Sequence, residues 1–154
     1  MAHPQLAKFK RLLIASKHVG IDSMCFIYQL SESSRYLPLT DIIFSLTSQK
    51  KIQLTTSIIS LIETLAKPEE LGEKLVVHQY QEVFTNLTNL DVIPVDLPVA
   101  QLTASLRGKY KHLEIPDTIQ LAVALLKDCK VFITNDKQLT QVKEIKVKLL
   151  QEYI

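Results

Sequence analysis

Two acidic residues of this chain each follow a short apolar run. Asp22 comes after residues 19–21, and Asp136 comes two positions after the run 131–134. Short apolar runs bounded by polar residues are typical of strands buried in a parallel sheet. Ligand sites in such sheets lie beyond the carboxyl ends of the strands. Both carboxylates are therefore expected at that edge.

Two further acids lie in apolar helical segments. Glu63 interrupts the stretch 57–65 and falls at the border of its apolar arc. Asp117 opens a helix whose following residues, 119–126, are almost all apolar. A helix that is apolar nearly all round is buried, and the helix dipole favours an ionised acid in its first turn.

Converging carboxylates need a positive partner. Buried or half-buried acids repel one another and cost free energy unless a cation lies among them. The simplest such cation is a hard divalent ion held by oxygen ligands. The four residues that the pattern offers as its ligands are Asp22, Glu63, Asp117 and Asp136.

Each acid also has a purely structural interpretation. Asp22 and Asp136 are well placed to cap the helices that follow them. Asp117 suits the first turn of a helix, and Glu63 is equally typical of a solvated helix surface. Taken one residue at a time, the structural and the catalytic interpretations both stay open.

The elements that would position these acids alternate between strands and helices, which predicts parallel βαβ units with helices on both faces of the sheet. Strands are predicted at 19–22, 52–56, 92–95, 131–134 and, as a last edge strand, 145–149. Helices are predicted at 6–16, 24–30, 38–49, 99–110, 116–127 and 136–143. One further helix is predicted to follow a cap at Thr56 or Ser57, and another to run from Pro68 to about Leu87.

Composition sets the broad class of the protein. The chain has 154 residues, 47% hydrophobic and 22% charged, which suits one domain with a full core. Its net charge of +2 tolerates a polyanionic partner without requiring one. Cys25 and Cys129 have no CxxC spacing, so we expect core thiols in a reducing cytoplasm. No apolar run approaches the length of a membrane span, and residues 12–15 are too short for a signal-peptide core.

The order, spacing and apolar context of the four acids resemble the PIN-domain ribonucleases, and most closely the VapC-type toxins of prokaryotic toxin–antitoxin pairs. The resemblance covers residues 18–150 and rests on the segments 21–23, 57–63, 116–122 and 132–136. It implies an α/β/α three-layer sandwich around a central parallel sheet of four to five strands. We expect one PIN-like domain over 1–154, in which residues 1–17 form a helical extension beyond the usual start.

The resemblance also implies a chemistry, namely hydrolysis of RNA phosphodiester bonds by an endoribonuclease that depends on Mg²⁺ or Mn²⁺. All four acids would then be catalytic metal-site residues. We place Asp22 and Asp117 closest to the ion, whereas Glu63 and Asp136 orient waters or complete a second ion site. Ser23 and Thr134 match positions where small hydroxyl residues support the site.

Basic and aromatic residues give weaker signals for RNA binding. Arg107, Lys109 and Lys111 cluster just before the third acid and are candidates for phosphate contacts. The alternative for each of them is a solvated helix end. The tyrosines are scattered along the chain and predict no base-stacking stripe.

The implied partners are an RNA substrate, a small antitoxin protein and a second copy of the chain, with no membrane. The helix at 38–49 carries more apolar residues than one core contact needs. We therefore expect this helix and the one after it to line a docking groove. The residues concerned are Leu37, Leu39, Ile42, Ile43, Phe44 and Leu46. The alternative function is a catalytically inactive PIN-like module that binds nucleic acid or protein, and it predicts no acid-dependent affinity for Mn²⁺.

Overall fold

A computed structural model describes residues 3–154 and contains one parallel sheet. Within those residues the sheet has five strands in the order β3-β2-β1-β4-β5, and all four neighbouring pairs are parallel. The strands are β1 His18–Ile21, β2 Gln53–Ser57, β3 Leu90–Ile93, β4 Val131–Thr134 and β5 Lys146–Leu149. The predicted parallel sheet and the predicted edge strand at the end of the chain are confirmed.

Helices connect the strands and cover both faces of the sheet. The α-helices of the described residues are α1 Pro4–Ser16, α2 Ser23–Leu30, α3 Leu37–Ser48, α4 Ile58–Glu70, α5 Lys74–Asn86, α6 Leu97–Lys109 and α7 Ile115–Leu126. Two 3₁₀ helices follow at Lys137–Gln141 and Leu150–Tyr153. None of the helices in residues 3–154 is long and apolar enough to cross a membrane.

Successive side chains of a strand pack alternately into two apolar layers, one on each face of the sheet. On β4, Val131 and Ile133 join a cluster with α1, α2 and α3, whereas Phe132 joins a cluster with α6 and α7. This alternation is the period of two that a strand imposes on its side chains. Phe9 and Leu13 of α1 are fully buried in the first cluster, so the N-terminal helix packs into the same core. The three-layer α/β/α arrangement is confirmed, although residues 1 and 2 of the expected extension lie outside the described part.

The cysteines lie where their apolar surroundings predicted. Cys25 and Cys129 are both free and buried, one in each of the two apolar clusters. A buried free cysteine packs as a small apolar side chain.

The prediction that Pro68 opens a long helix is wrong. Pro68 is buried inside α4, and the chain reverses after Glu70 before α5 begins at Lys74. The reversal occurs at Gly72, whose φ of +69° favours a residue without a side chain. The third strand also begins and ends about two residues earlier than predicted. It ends before Pro94, which has no N–H to donate to the sheet.

Two other expectations need correction. The segment predicted as a short helix at 136–143 is a 3₁₀ turn over Lys137–Gln141. On α3, Leu39, Ile43, Phe44 and Leu46 are buried in the core of their own chain. The apolar surplus of this helix is therefore mostly used inside the fold, because α1 and α2 both pack against it.

Gly20 of β1 allows α7 to lie close to the sheet. A Cβ atom at this position would lie 2.8 Å from Cβ of Ala124 and 3.1 Å from Cδ2 of Phe132. Neither neighbour can move freely, since both belong to a packed core layer. We expect Gly20→Ala to destabilise the fold by about 1–3 kcal/mol, the usual cost of overpacking a core, measured as a lower urea midpoint.

The matched control is Gly108→Ala on α6, where a Cβ atom meets nothing within 4 Å. That variant should be neutral or more stable, because alanine is the better helix former by about 1 kcal/mol. Equal urea midpoints for the two variants would contradict the close approach of α7.

Candidate active site

Asp22 lies at the carboxyl end of the central strand and is only 5% exposed. Its Oδ1 atom accepts a hydrogen bond from the backbone N–H of Met24 at 3.1 Å and so caps α2. Its Oδ2 atom accepts a hydrogen bond from the hydroxyl of Thr134. The capping interpretation of Asp22 is confirmed, yet the cap occupies only one of the two carboxylate oxygens.

Thr134 joins the first acid to the fourth. Ile21 pairs with Ile133 in the sheet, so the next residue of each strand, Asp22 and Thr134, lie at the same level. The Oγ1 atom of Thr134 also accepts a hydrogen bond from the backbone N–H of Asp136 at 3.0 Å. Asp136 is half-buried and its Oδ1 atom caps the following 3₁₀ turn through the N–H of Gln138.

Glu63 reaches the site from α4. Its Oε1 atom accepts a hydrogen bond from the hydroxyl of Ser23 at 3.1 Å. Ser23 is buried at the start of α2, next to Asp22 in the chain, whereas Glu63 itself is exposed. The hydroxyl of Ser23 thus holds an exposed acid beside a buried one.

Asp117 is the electrostatic centre of the group. It is half-buried in the first turn of α7. Negative charges on Asp136 and Glu63 raise its pKa, and Asp117 in turn raises the pKa of Asp22. The structure therefore couples all four predicted acids through Asp117.

The pKa values of Asp22 and Asp117 show the electrostatic cost of burying carboxylates close to one another. Burial is the main cause that raises the pKa of Asp22 from 3.8 to about 7, against the hydrogen bonds from Thr134 and Met24, which lower it. Burial also raises the pKa of Asp117 from 3.8 to about 6, and the neighbouring carboxylates add to the shift. Among the described residues, no lysine or arginine contributes to lowering either pKa. The site therefore favours either protons or a bound cation.

The donor set fits a hard cation that keeps much of its own water. All four side chains offer carboxylate oxygens, which suit Mg²⁺ and Mn²⁺. Among residues 3–154, no group of three or more His, Cys, Asp or Glu side chains is gathered closely enough to enclose an ion by itself. Mg²⁺ is commonly bound through one or two carboxylates with several waters retained, so a site of that kind needs no such cage.

A buried polar network that the sequence interpretation missed lies behind the site. Gln120 of α7 is 2% exposed, and its Oε1 atom accepts a hydrogen bond from the N–H of Ser57 at 3.1 Å. Its Nε2 atom donates to Ser60 at 2.7 Å, and Ser60 bonds in turn to Thr56. The network fixes α7, which carries one acid, against α4, which carries another. The signal in the sequence was a glutamine inside an otherwise apolar helix.

The three predicted basic residues have different surroundings. Arg107 is half-buried, and its Nε atom is buried without a hydrogen-bond partner. Lys109 forms an exposed salt bridge with Glu144 at 3.5 Å, and Lys111 is exposed. The salt bridge of Lys109 partly neutralises the cluster, whereas none of the salt bridges in residues 3–154 involves Arg107 or Lys111.

The sequence predicted no base-stacking stripe of tyrosines, and the structure brings one pair of them together. Tyr28 and Tyr36 stack with ring centroids 4.5 Å apart and an interplanar angle of 22°. They meet because the chain turns back between α2 and α3. The stack lies beside the acids, since the hydroxyl of Tyr28 accepts a hydrogen bond from Asn135.

Comparison with known proteins identifies one family. The PIN domain matches residues 19–145, which is most of the chain. No curated protein matches the sequence significantly.

Three solved structures show the same fold at low sequence identity. The VapBC2 complex of Rickettsia felis bound to a promoter DNA fragment matches with a TM-score of 0.69 and 12% identity, covering 86% of this chain and 98% of that one. FitAcB from Neisseria gonorrhoeae matches with a TM-score of 0.62 and 19% identity, covering 87% and 98%. A toxin–antitoxin complex from Klebsiella pneumoniae matches with a TM-score of 0.57 and 22% identity, covering 83% and 94%.

The raised pKa of Asp22 predicts how stability changes with pH in metal-free buffer. Between its ordinary pKa of 3.8 and its folded pKa of about 7, the folded protein keeps a proton that the unfolded chain has released. Stability therefore falls as pH rises through this range, by at most about 1.4 kcal/mol per pH unit. Asp22→Asn lacks this titration, so its melting temperature in EDTA should fall less and should exceed that of the parent above about pH 7.

The control is Asp128→Asn, at an exposed residue of the turn that follows α7. Its melting temperature should change with pH as that of the parent protein does. If the melting temperatures of Asp22→Asn and the parent protein changed with pH in parallel, the pKa of Asp22 would not be raised in the folded protein. Asp117 adds a smaller change of the same sign, because its pKa of about 6 is also raised.

Proposed function

This chain belongs to the PIN domain family, and from that premise we propose that it is an endoribonuclease that hydrolyses RNA phosphodiester bonds with Mg²⁺ or Mn²⁺. The observation that carries the proposal is the set of four coupled carboxylates with two raised pKa values. Such a set is costly in a folded protein, and a divalent cation would remove the cost. The alternative, an inactive module, leaves that cost without a function.

Each acid has a distinct role in this proposal. Asp22 and Asp117 bind the ion, since both have raised pKa values and their charges are coupled. Glu63, which is exposed, and Asp136, which is half-buried, orient waters or complete a second ion site. When bound, the ion supplies charge stabilisation for the phosphate and an activated water. The hydroxyls of Ser23 and Thr134 hold the carboxylates in place through the hydrogen bonds described above.

We further propose a small antitoxin as the partner of this chain in the cytoplasm. Solved toxin–antitoxin complexes share its fold, and an apolar groove lies next to Glu63. The groove has a volume of about 210 Å³ and is lined by Thr64, Leu71, Val76 and Tyr80 among others. A partner segment bound there would cover the exposed acid of the site.

A second apolar surface suits a homodimer. Val95, Leu97 and Ile115 are exposed, with Leu97 at 69%, beside a groove of about 460 Å³ between α6 and α7. Patches of this kind on a soluble protein mark contacts with other chains. We propose that two copies of the chain meet through this surface, which leaves the groove beside Glu63 free.

The proposed chemistry predicts cleavage of unpaired RNA only with a divalent ion. Asp22→Asn and Asp117→Asn should each reduce kcat by about 100-fold or more, the scale expected for one electrostatic contact in an active site. Cleavage of a labelled single-stranded RNA in Mn²⁺ and in EDTA provides the measurement. Unpaired RNA is the substrate of choice because the A-form groove excludes side chains.

Two glutamates on the same helix provide the control. Glu63→Gln should lower the rate, whereas Glu69→Gln, also exposed on α4, should not. Undiminished cleavage in EDTA, or by Asp117→Asn, would overturn the mechanism. Acid-independent binding of Mn²⁺ would favour the inactive module.

The two apolar surfaces predict separable effects on association. Leu71→Asp, at a residue that is 57% exposed and lines the first groove, should weaken binding of any small antitoxin candidate encoded beside this gene but leave the oligomeric state unchanged. Leu97→Asp should convert the dimer into a monomer by light scattering, because burial of apolar surface, at roughly 25 cal/mol per Å², drives the contact. Each variant controls for the other, and a monomeric parent protein would refute the dimer.

A further inference from the structure

Three side chains form a continuous stack from the surface towards the acids. The ring of Tyr28 stacks on that of Tyr36, with centroids 4.5 Å apart. The guanidinium carbon of Arg35 lies 5.4 Å from the centroid of the Tyr36 ring. We refer to Arg35, Tyr36 and Tyr28 as the aromatic ladder.

The inner end of the ladder adjoins the acidic site. The hydroxyl of Tyr28 accepts a hydrogen bond from Nδ2 of Asn135 at 3.4 Å, and Asn135 lies between Thr134 and Asp136 in the chain. Burial raises the pKa of Tyr28, and the negative charge of Asp22 raises it further. A ligand that follows the ladder inward therefore arrives at the carboxylates.

The outer end of the ladder is available to a ligand. Arg35 is exposed, and none of the salt bridges in residues 3–154 involves it. Its guanidinium has five N–H donors in a fixed planar arrangement, which suits phosphate oxygens and aromatic faces. An exposed arginine over a tyrosine, with no carboxylate of residues 3–154 within 4 Å of its charged nitrogens, has the chemistry of a site for an anion that carries a flat ring.

Backbone hydrogen bonds close the connecting turn. The N–H of Ser33 donates to the carbonyl of Tyr28 at 2.9 Å, and the N–H of Leu37 donates to the carbonyl of Ser33 at 2.8 Å. The rings of Tyr28 and Tyr36 are half-buried and pack against the first apolar cluster. The ladder is therefore held in place by the core on one side and remains partly exposed on the other.

We propose that the aromatic ladder binds one nucleotide of an unpaired RNA beside the acidic site, with its base inserted between the ring of Tyr36 and the exposed guanidinium of Arg35, which moves outward to admit it, and its phosphate paired with the N–H donors of Arg35. The inference rests on the proposed ribonuclease function and adds the residues that hold the substrate. Unpaired bases stack on tyrosine rings and arginine planes in proteins that bind single strands. An acidic peptide would pair with Arg35 but would gain little from the ring of Tyr36.

The test measures binding of a short fluorescent single-stranded RNA by anisotropy in EDTA, with the full-length protein. Tyr36→Leu should weaken binding by about 5- to 150-fold, the range that corresponds to one base–aromatic stack, whereas Tyr36→Phe should keep it. Arg35→Gln should weaken binding and reduce its salt dependence, in contrast to Arg11→Gln at an exposed arginine of α1. In Mn²⁺, Tyr36→Leu should raise KM and leave kcat nearly unchanged.

A second arm needs no variant and so does not depend on folding. An RNA in which one nucleotide at a time is abasic should bind the parent protein more weakly when the gap falls at the ladder than when it falls elsewhere. Cleavage of RNA together with no sensitivity to abasic positions would overturn the ladder but keep the ribonuclease. Base-dependent binding without cleavage would support the ladder and overturn the ribonuclease.

Two further outcomes are decisive against the proposal. Loss of binding in Arg35→Gln with none in Tyr36→Leu would overturn base stacking and indicate a site for phosphate or an acidic peptide. No binding of any RNA by the parent protein would overturn both the ladder and the proposed substrate.

Discussion

The structure depends on one buried carboxylate at the end of its central strand. Asp22 follows the central strand and is only 5% exposed, so its charge must be balanced by the chain or by a bound ion. Thr134 and the N–H of Met24 supply two hydrogen bonds, but burial still dominates and the pKa stays raised. Hydrogen bonds to a carboxylate offset only part of its desolvation. The remaining cost makes the position responsive to protons and cations, and the negative charges of Asp117 and Glu63 add to it.

The second constraint is that acids from separate helices must keep a common geometry. Asp117 lies on α7 and Glu63 lies on α4. The hydrogen bonds of Gln120 with Ser57 and Ser60 tie these two helices together. Because the network is buried, loss of one partner would leave polar atoms without a hydrogen bond, at a cost of about 1–3 kcal/mol. Rigid elements joined in this way hold a site more precisely than loops do. The packing of α4 and α7 on the sheet therefore offsets the electrostatic repulsion among the acids.

The sequence predicted those features whose cause is local. Short apolar runs identified the strands, and the apolar character of residues 119–126 identified the buried helix that begins beside Asp117. The same reasoning failed where a turn signal was misread and where residues distant in sequence decide the packing. Pro68 seemed to start a helix, yet the chain actually turns at Gly72. The stack of Tyr28 on Tyr36 arises from a turn that returns the chain on itself, and sequence separation alone gives no sign of it. Likewise, the apolar surplus of α3 could not be assigned to core or surface until α1 was known to cover it.

Helix α2 separates the two surfaces that the proposed function requires. Ile27 and Ser31 line the apolar groove beside Glu63, whereas Tyr28 turns towards Asn135 and the ladder. Neighbouring residues of an α-helix point about 100° apart, so one short helix can serve both sides of the acidic site. A protein bound in the groove would cover Glu63 and would leave Arg35 and Tyr36 uncovered. Inhibition by such a partner would then act on the acids and the metal rather than on the residues that stack the RNA base, and an inhibited complex would still be able to hold RNA.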